Sequence, residues 1–489
     1  MKVITQYYKF ILLLFICACS SVKTDVSDRV DEAKKPNILY IMIDDLGWMD
    51  LNCQGNNDYY TPNIDRLAKQ GMLFTDAYAA APVCSPTRAA AMTGLSPARL
   101  QITNHIPDRW RFYEGRKIGP GKTVNQLEPK YETIAERLKV HGYGTGFIGK
   151  WHLAGANQGE LQQEYLPENH GFDINIAGCA QGGPGGERSF FDPYTIPTIT
   201  NRREGEYLPN RLADEAIQYM KSQKKAEKPF FLCLWNYTVH WPVEAPDSLY
   251  KKYAPDGKPN LHQKYQAMVE GMDQAVGKVL KALDNMELAE ETFVVFTSDN
   301  GPFVGDNAEM TSAAPLKDSK GYLSEGGIRV PLIIRWPGKI KAGTVSNEPV
   351  ITMDFVPTFL DLAKKGYKSG EFDGESLLPL LTKDIDLKRD AIYFHFPHYA
   401  FHQENKMGSV IRKGDYKLIQ YYSGEEIALY NLRSDIGEKI NIATAEPAKS
   451  KELLGDLTQW LLENNAQMPR KVEDIPASEL FGSKPGLKK

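Results

Sequence analysis

The chain has 489 residues, 42% hydrophobic and 25% charged, enough apolar material for a large core in more than one folded unit and too much for a disordered chain. A formal net charge of −4 without a long basic run argues against a nucleic-acid partner. The six cysteines are scattered, with neither the spacing of a zinc site nor the density of a disulfide framework.

At the start of the chain Lys2 and Lys9 precede an apolar stretch over 10–18 that is too short to span a bilayer. The pattern predicts a secretory signal over 1–18. Ile16-Cys17-Ala18-Cys19 resembles a bacterial lipobox, which implies lipidation of Cys19 and a polar tether over 19–35. The expectation is an exported lipoprotein, in the periplasm or at the outer surface, that meets the membrane through its lipid alone. An ordinary cleaved signal with incidental cysteines is the plainer alternative.

Residues 37–43 form a continuous apolar run, as in a strand covered on both faces, and stop at Asp44-Asp45. A helix is predicted over 61–71, with Pro62 in its first turn, and another over 133–141 closed by Gly142. Strands are predicted at 146–149, 230–236 and 292–297, with an amphipathic crossover helix at 265–283. This alternation predicts an α/β fold over 36–384: a large doubly wound, mixed but mainly parallel sheet flanked by helices. In such sheets ligands collect beyond the carboxyl ends of the strands, where Asp44-Asp45, His240 and Asp299-Asn300 stand. From 385 the style changes to short strand candidates at 391–396, 408–412, 416–422 and 427–431, then a helix at 449–464. These predict a smaller C-terminal antiparallel-sheet subdomain over 385–489.

Cys84-Ser-Pro-Thr-Arg88 is the most informative segment. Alone, a cysteine ahead of Ala89-Ala-Ala-Met92 reads as a buried structural thiol. With its neighbours it resembles the Cys-x-Pro-x-Arg signature of the formylglycine-dependent sulfatases, in the alkaline phosphatase-like superfamily, extended by Met92-Thr-Gly94. The runs 36–45 and 61–67, then Gly149-Lys-Trp-His152, His240-Trp-Pro242, Ser298-Asp-Asn-Gly301 and 320–331, follow in that family's order. Leu429-Tyr-Asn-Leu432 with Gly437-Glu438 echoes its C-terminal part. The resemblance runs from 36 to 465 and is to bacterial carbohydrate sulfatases of the arylsulfatase A type.

Residue chemistry adds to this. Asp44, Asp45, Asp299 and Asn300 are hard oxygen ligands suited to Ca²⁺ or Mg²⁺ rather than zinc or copper, and packed carboxylates repel without a cation. For either pair alone, turn and capping roles are the plainer reading. The resemblance implies Ca²⁺ in preference to Mg²⁺, with modified Cys84 as fifth protein ligand. It also implies that a formylglycine-generating enzyme oxidises Cys84, and that of the two hydroxyls of the aldehyde hydrate one attacks sulfur and the other later expels sulfate. Arg88, one helical turn after Cys84, can face the same pocket and support that hydrate. By motif position Lys150 and Lys320 meet the sulfate oxygens and the leaving group. The resemblance makes His152 the base for sulfate elimination, while His240 suits the acid for the departing alcohol. Either histidine alone reads more readily as a structural or surface residue.

For the rest of the substrate, His395 and His398 near the expected rim of the cleft, and His105 and Arg109 after the signature helix, are candidates for sugar contacts; core between the domains is the alternative. The expected activity is hydrolysis of sulfate esters on host or algal glycans. A phosphonate or phosphate ester hydrolase of the same superfamily and a catalytically silent glycan-binding lipoprotein are the competing readings.

Overall fold

Leu39, Ile41 and Ile43 enter one hydrophobic core while Ile38, Tyr40 and Met42 enter another, so the apolar run Asn37–Ile43 is a strand, β1, with both faces covered. The computed structural model describes residues 34–107, 117–157, 160–185, 189–304, 309–400, 405–424 and 426–476. The expected signal segment, Cys19, most of the tether and Arg109 lie outside the described residues.

The other strands of the main sheet are β2 (Met72–Phe74), β3 (Gly144–Gly149), β4 (Ile174–Ile176), β5 (Phe230–Trp235), β6 (Thr292–Ser298), β7 (Leu332–Arg335) and β8 (Thr344–Ser346). They make one eight-stranded sheet in the order β8-β2-β7-β6-β1-β5-β3-β4. Every neighbouring pair is parallel except those made by β7, which runs against β6 and β2. The sheet is therefore mixed and mainly parallel, as the alternating pattern predicts.

Helices cover both faces. One face packs against α1 (Pro62–Gln70) through Ile64 and Leu67, and against the long helices at Leu208–Lys225 and Leu261–Asn285. The other packs against α2 (Cys84–Thr93) and α3 (Ile134–Lys139), and against Phe355–Leu362. In order, the later helices are α4 (Leu208–Lys225), α5 (Leu261–Asn285), the single turn α6 (Glu325–Ile328) and α7 (Phe355–Leu362). The predicted start of α3 has a physical cause: Thr133 Oγ1 accepts from Glu136 N at 3.2 Å and Glu136 Oε2 accepts from Thr133 N at 2.7 Å, a reciprocal cap. All ten residues of α2 are buried, and its small Ala89, Ala90 and Ala91 let it lie against neighbours on every side.

The C-terminal strands β9 (Ala391–Phe396), β10 (Gly408–Lys413), β11 (Tyr416–Tyr421) and β12 (Ile427–Asn431) form an antiparallel meander. Phe394, Val410, Ile419 and Tyr430 pack on Tyr78, Val83, Leu323 and Ile328 of the larger part. On the opposite face Ile411, Leu418 and Leu429 meet Leu453, Leu457 and Leu461 of α8 (Pro447–Glu463). Pro36–Lys489 accordingly form one compact unit. None of the described helices is long and apolar enough to cross a membrane.

Candidate active site

Parallel pairing puts the carboxyl ends of β1, β3, β5 and β6 at one edge of the sheet, and the polar residues that follow them converge there. Backbone bonds fix the exits: Asp44 N donates to Thr238 O at 2.9 Å, Asp299 N to Ile43 O at 3.2 Å and Lys150 N to Trp235 O at 2.7 Å. Asp45 and His152 turn out of their strands in the left-handed region, at φ 61° and 59°, a conformation that costs energy outside glycine and clusters at functional sites. Gly149 has φ 117°, and a Cβ there would lie 1.8 Å from Trp235 O, so only glycine lets β3 approach β5 this closely before Lys150.

Helix α2 brings Cys84 to this edge as its first residue. Cys84 Sγ lies 3.6 Å from Asp44 Oδ1. Ligand atoms of Asp44, Asp45, Cys84 and Asp299 all fall within 4.8 Å of one another, and all four residues are buried. Arg88, one turn along α2, grips Asp299 Oδ2 from Nε at 3.0 Å and Nη2 at 2.7 Å, and donates from Nη1 to Lys150 O at 2.7 Å. Lys150 Nζ stands 2.7 Å from Asp44 Oδ2 and Lys320 Nζ 2.6 Å from Asp45 Oδ1.

Three carboxylates thus face three cations of the chain itself, more internal neutralisation than the sequence pattern suggests. Burial still weighs on individual members of the set. Burial, with Asp299 and Asp45, pushes Asp44 up to about 8 even against Lys150 and Arg88. Burial works the same way on Asp299, but there Arg88, Lys150 and Lys320 prevail and hold it well below the usual carboxylate range. Asn300 Nδ2 donates to Asp45 Oδ1 at 2.8 Å, while its buried Oδ1 has no hydrogen-bond partner. An orphan amide oxygen beside clustered, buried carboxylates fits a hard cation. Burial and Asp299 push the Cys84 thiol up to about 12, so as a plain thiol it is no nucleophile in this setting.

His152 and His240 border the same pocket. His152 Nε2 donates to Ile106 O, which leaves Nδ1, buried and without a hydrogen-bond partner, as the free lone pair. Burial, Lys150, His105 and Arg88 hold His152 well below its ordinary value, hence neutral. His240 Nδ1 donates to Trp241 O at 2.7 Å and its Nε2 lies 3.9 Å from Asp45 Oδ2. Burial and Lys320, against Asp45, push His240 down to about 3, although water relieves part of that because a quarter of its side chain is exposed. His105 is buried close enough to His152 to influence it electrostatically.

Of the candidates for sugar contacts, His395 and His398 stand in the interior, as in the alternative reading of core between the domains. His395 is buried, with Nδ1 2.6 Å from Ser409 Oγ and Nε2 donating to Gln467 O at 3.1 Å. His398 is buried with Nε2 2.8 Å from Thr103 Oγ1. Both are held by their own chain beneath the surface: His395 lies on β9, which is covered on both faces, and His398, two residues past its end, finds its partner in Thr103. The sequence reading also overlooks two features. Trp241, next to His240, is 52% exposed, large for an indole. Gly182 and Gly183 abut the two histidines so closely that a Cβ would come within 2.6 Å of His152 Nε2 or 3.3 Å of His240 Cε1. The Gly-Gly-Pro-Gly run at 182–185 was the available signal.

Residues 36–365 match the family described as Sulfatase. The chain belongs to the sulfatase family. Residues 318–467 also match the family described as N-sulphoglucosamine sulphohydrolase, C-terminal, which takes in the small sheet and α8. A sulfatase of Formosa agariphila is 32% identical, the match covering 93% of this chain and 94% of that one. Human arylsulfatase A is 30% identical, with 93% and 92% covered. Among solved structures, Ps i-CgsB in complex with k-i-k-neocarrahexaose is 30% identical with a TM-score of 0.75, covering 88% of this chain and 94% of that one. This sulfatase is therefore a sulfuric ester hydrolase. The phosphonate monoester hydrolase of Agrobacterium radiobacter, 21% identical with a TM-score of 0.64, shares its fold.

Proposed function

We propose that this sulfatase removes sulfate from sulfated glycans, using formylglycine made from Cys84 beside a calcium ion held by Asp44, Asp45, Asp299, Asn300 and the modified Cys84. The observation that carries the reading is the position of Cys84 Sγ among three buried carboxylates, with Arg88, Lys150 and Lys320 arranged against them. A thiol is a poor partner for a hard cation; a hydrated aldehyde offers oxygen instead. Such an ion supplies positive charge that acidifies a hydroxyl and steadies charge building on sulfate oxygens.

The chain's own residues do the rest. Arg88 keeps Asp299 ionised and oriented by two hydrogen bonds. Lys150 and Lys320, fully buried or nearly so, lean on Asp44 and Asp45 and turn to the sulfate oxygens when substrate enters. His152, neutral with its Nδ1 lone pair free, takes the proton whose removal releases sulfate. His240 presents Nε2 to the departing oxygen, because Nδ1 is committed to Trp241 O. Burial and Lys320 work against a proton on His240 and Asp45 works for it, so the negative charge of a sulfate ester beside the two lysines favours the protonated acid. The exposed indole of Trp241 offers an apolar face for a pyranose next to that acid. The similarity to Ps i-CgsB, crystallised with k-i-k-neocarrahexaose, supports a sulfated glycan as substrate.

The lipobox-like Ile16–Cys19 supports export and anchoring through Cys19, with a formylglycine-generating enzyme as maturation partner. The test is a panel of defined sulfated mono- and disaccharides, with a phosphonate monoester beside them, offered to enzyme matured by that partner. Release of sulfate from a sugar and a silent phosphonate are expected. Turnover of the phosphonate alone would overturn the substrate reading.

A further inference from the structure

Between the catalytic edge and the small sheet lies a buried set of charges for which the reaction outlined above has no use. Three acids, Asp76, Glu325 and Glu438, face three bases, Arg329, Arg412 and Lys417. Lys417 Nζ on β11 is 2.8 Å from Glu325 Oε1 and 2.9 Å from Glu438 Oε1. Glu438 Oε2 accepts from Glu325 N at 2.7 Å. The second oxygen of Glu325 takes Tyr78 OH at 2.8 Å and Arg329 Nε at 2.6 Å. Arg412 on β10 closes the set with Nη2 2.6 Å from Asp76 Oδ2.

Burying five of these charges, with Asp76 partly exposed, is expensive, and apolar residues of similar volume commonly stabilise a fold as well or better. What such a set supplies is geometry. Glu325 opens α6, five residues after Lys320, and the loop between is closed upon itself: Gly326 N donates to Lys317 O at 2.8 Å and Gly327 N to Ser324 O at 2.9 Å. The same turn lies flush against the cluster. Gly301 N donates to Gly327 O at 2.9 Å, and a Cβ on Gly301 would stand 1.8 Å from Gly326 O. Gly321 N donates to Pro82 O at 2.9 Å, two residues ahead of Cys84. With so little slack, a shift of Glu325 carries Lys320 with it.

We propose that Lys417 is a positioning residue for the sulfatase reaction: from the C-terminal sheet it holds Glu325, and through the 317–327 loop it sets Lys320 Nζ at the site. Glu438, left as a family echo in the sequence, is the second arm of this clamp. The proposal rests on the reading that Lys320 acts on the sulfate group.

The test is a double-mutant cycle in the full-length, matured enzyme, read as kcat and KM on 4-nitrophenyl sulfate with the folded fraction set by thermal unfolding. K417M is expected to lower kcat about tenfold or more, K417R to recover most of it, and K417M to add nothing once K320A is present, since both act through one group. A residue that only stabilised the fold would lower Tm, leave kcat per folded molecule unchanged and lose nothing special on the K320A background. Wild-type kcat in folded K417M, or full additivity with K320A, overturns the proposal while leaving Lys320 its role. Wild-type kcat in K320A removes the role of Lys320 and the proposal with it. Should K417M fail to fold, E438Q, which keeps the Lys417–Glu325 pair, is put through the same cycle, with a loss of about threefold expected and the same outcomes decisive.

Discussion

At the scale of single residues, Cys84 and His240 carry the sharpest expectations. Cys84 is a small side chain at the first position of α2, so Cys84→Ala should leave the fold in place and abolish turnover. Mass spectrometry of active enzyme should find the aldehyde or its hydrate at this position. Full activity from a preparation holding only the thiol would contradict the mechanism. His240→Ala separates acid catalysis from binding. A sugar alkoxide leaves poorly without a proton, whereas nitrophenolate carries its own charge. The loss in kcat/KM should be on the order of 10²–10⁴-fold for a sugar sulfate and much smaller for an aryl sulfate. Equal losses would make His240 a sulfate-binding group.

At the scale of elements, the site depends on how closely strands approach. β3 meets β5 at Gly149, where a Cβ would collide with Trp235 O and the φ of 117° is itself unfavourable for any side chain. Gly149→Ala should cost ~1–3 kcal/mol or more of stability, by strain and by pushing the strands apart. Because Lys150 is the next residue, kcat should fall as well. Thermal unfolding and kcat measured on the folded fraction check both; a variant with wild-type values for each would show that the strand end is softer than the packing implies. α2 has a related logic, since Ala89, Ala90 and Ala91 let the helix that carries Cys84 and Arg88 be buried on every side.

At the scale of the whole molecule, buried histidines set a limit in acid. Burial pushes His170 and His395 down to about 4 and His398 to about 3 in the folded protein. In the unfolded chain each titrates near ~6.5, so between ~6.5 and 4 the unfolded state binds protons that the folded state refuses. Stability is therefore full above ~6.5 and falls as the pH drops towards 4. For His395 alone the loss by pH 4 is on the order of 3 kcal/mol. Tm followed from pH 7 to 4 should fall for the wild type and fall less for His395→Gln, which stays neutral; parallel curves for the two would refute this.

The same histidines mark where reading the chain stopped. β1 was legible because a strand covered on both faces must be apolar throughout, and α1 and α3 because Pro62 and the Thr133–Glu136 cap are local signals. The 84–88 signature and the acidic pairs were legible as short motifs at strand ends, and the structure draws them to one edge. The reversed strand β7 and the short strands β2 and β8 went unread, since little but tertiary packing defines them, whereas α4 was overlooked despite Pro209 in its first turn and the apolar face of Leu212, Ala216 and Met220. His395 and His398 looked like rim residues, as nothing local says that β9 and the turn after it are covered by other parts of the chain. Composition, periodicity and motifs thus determined the α/β class, the family and the chemical inventory of this protein, all of which live in contacts of short range. Closing the sheet decided the rest, because it alone brings Arg88 to Asp299, 211 residues away, and Lys417 to Glu325, 92 residues away.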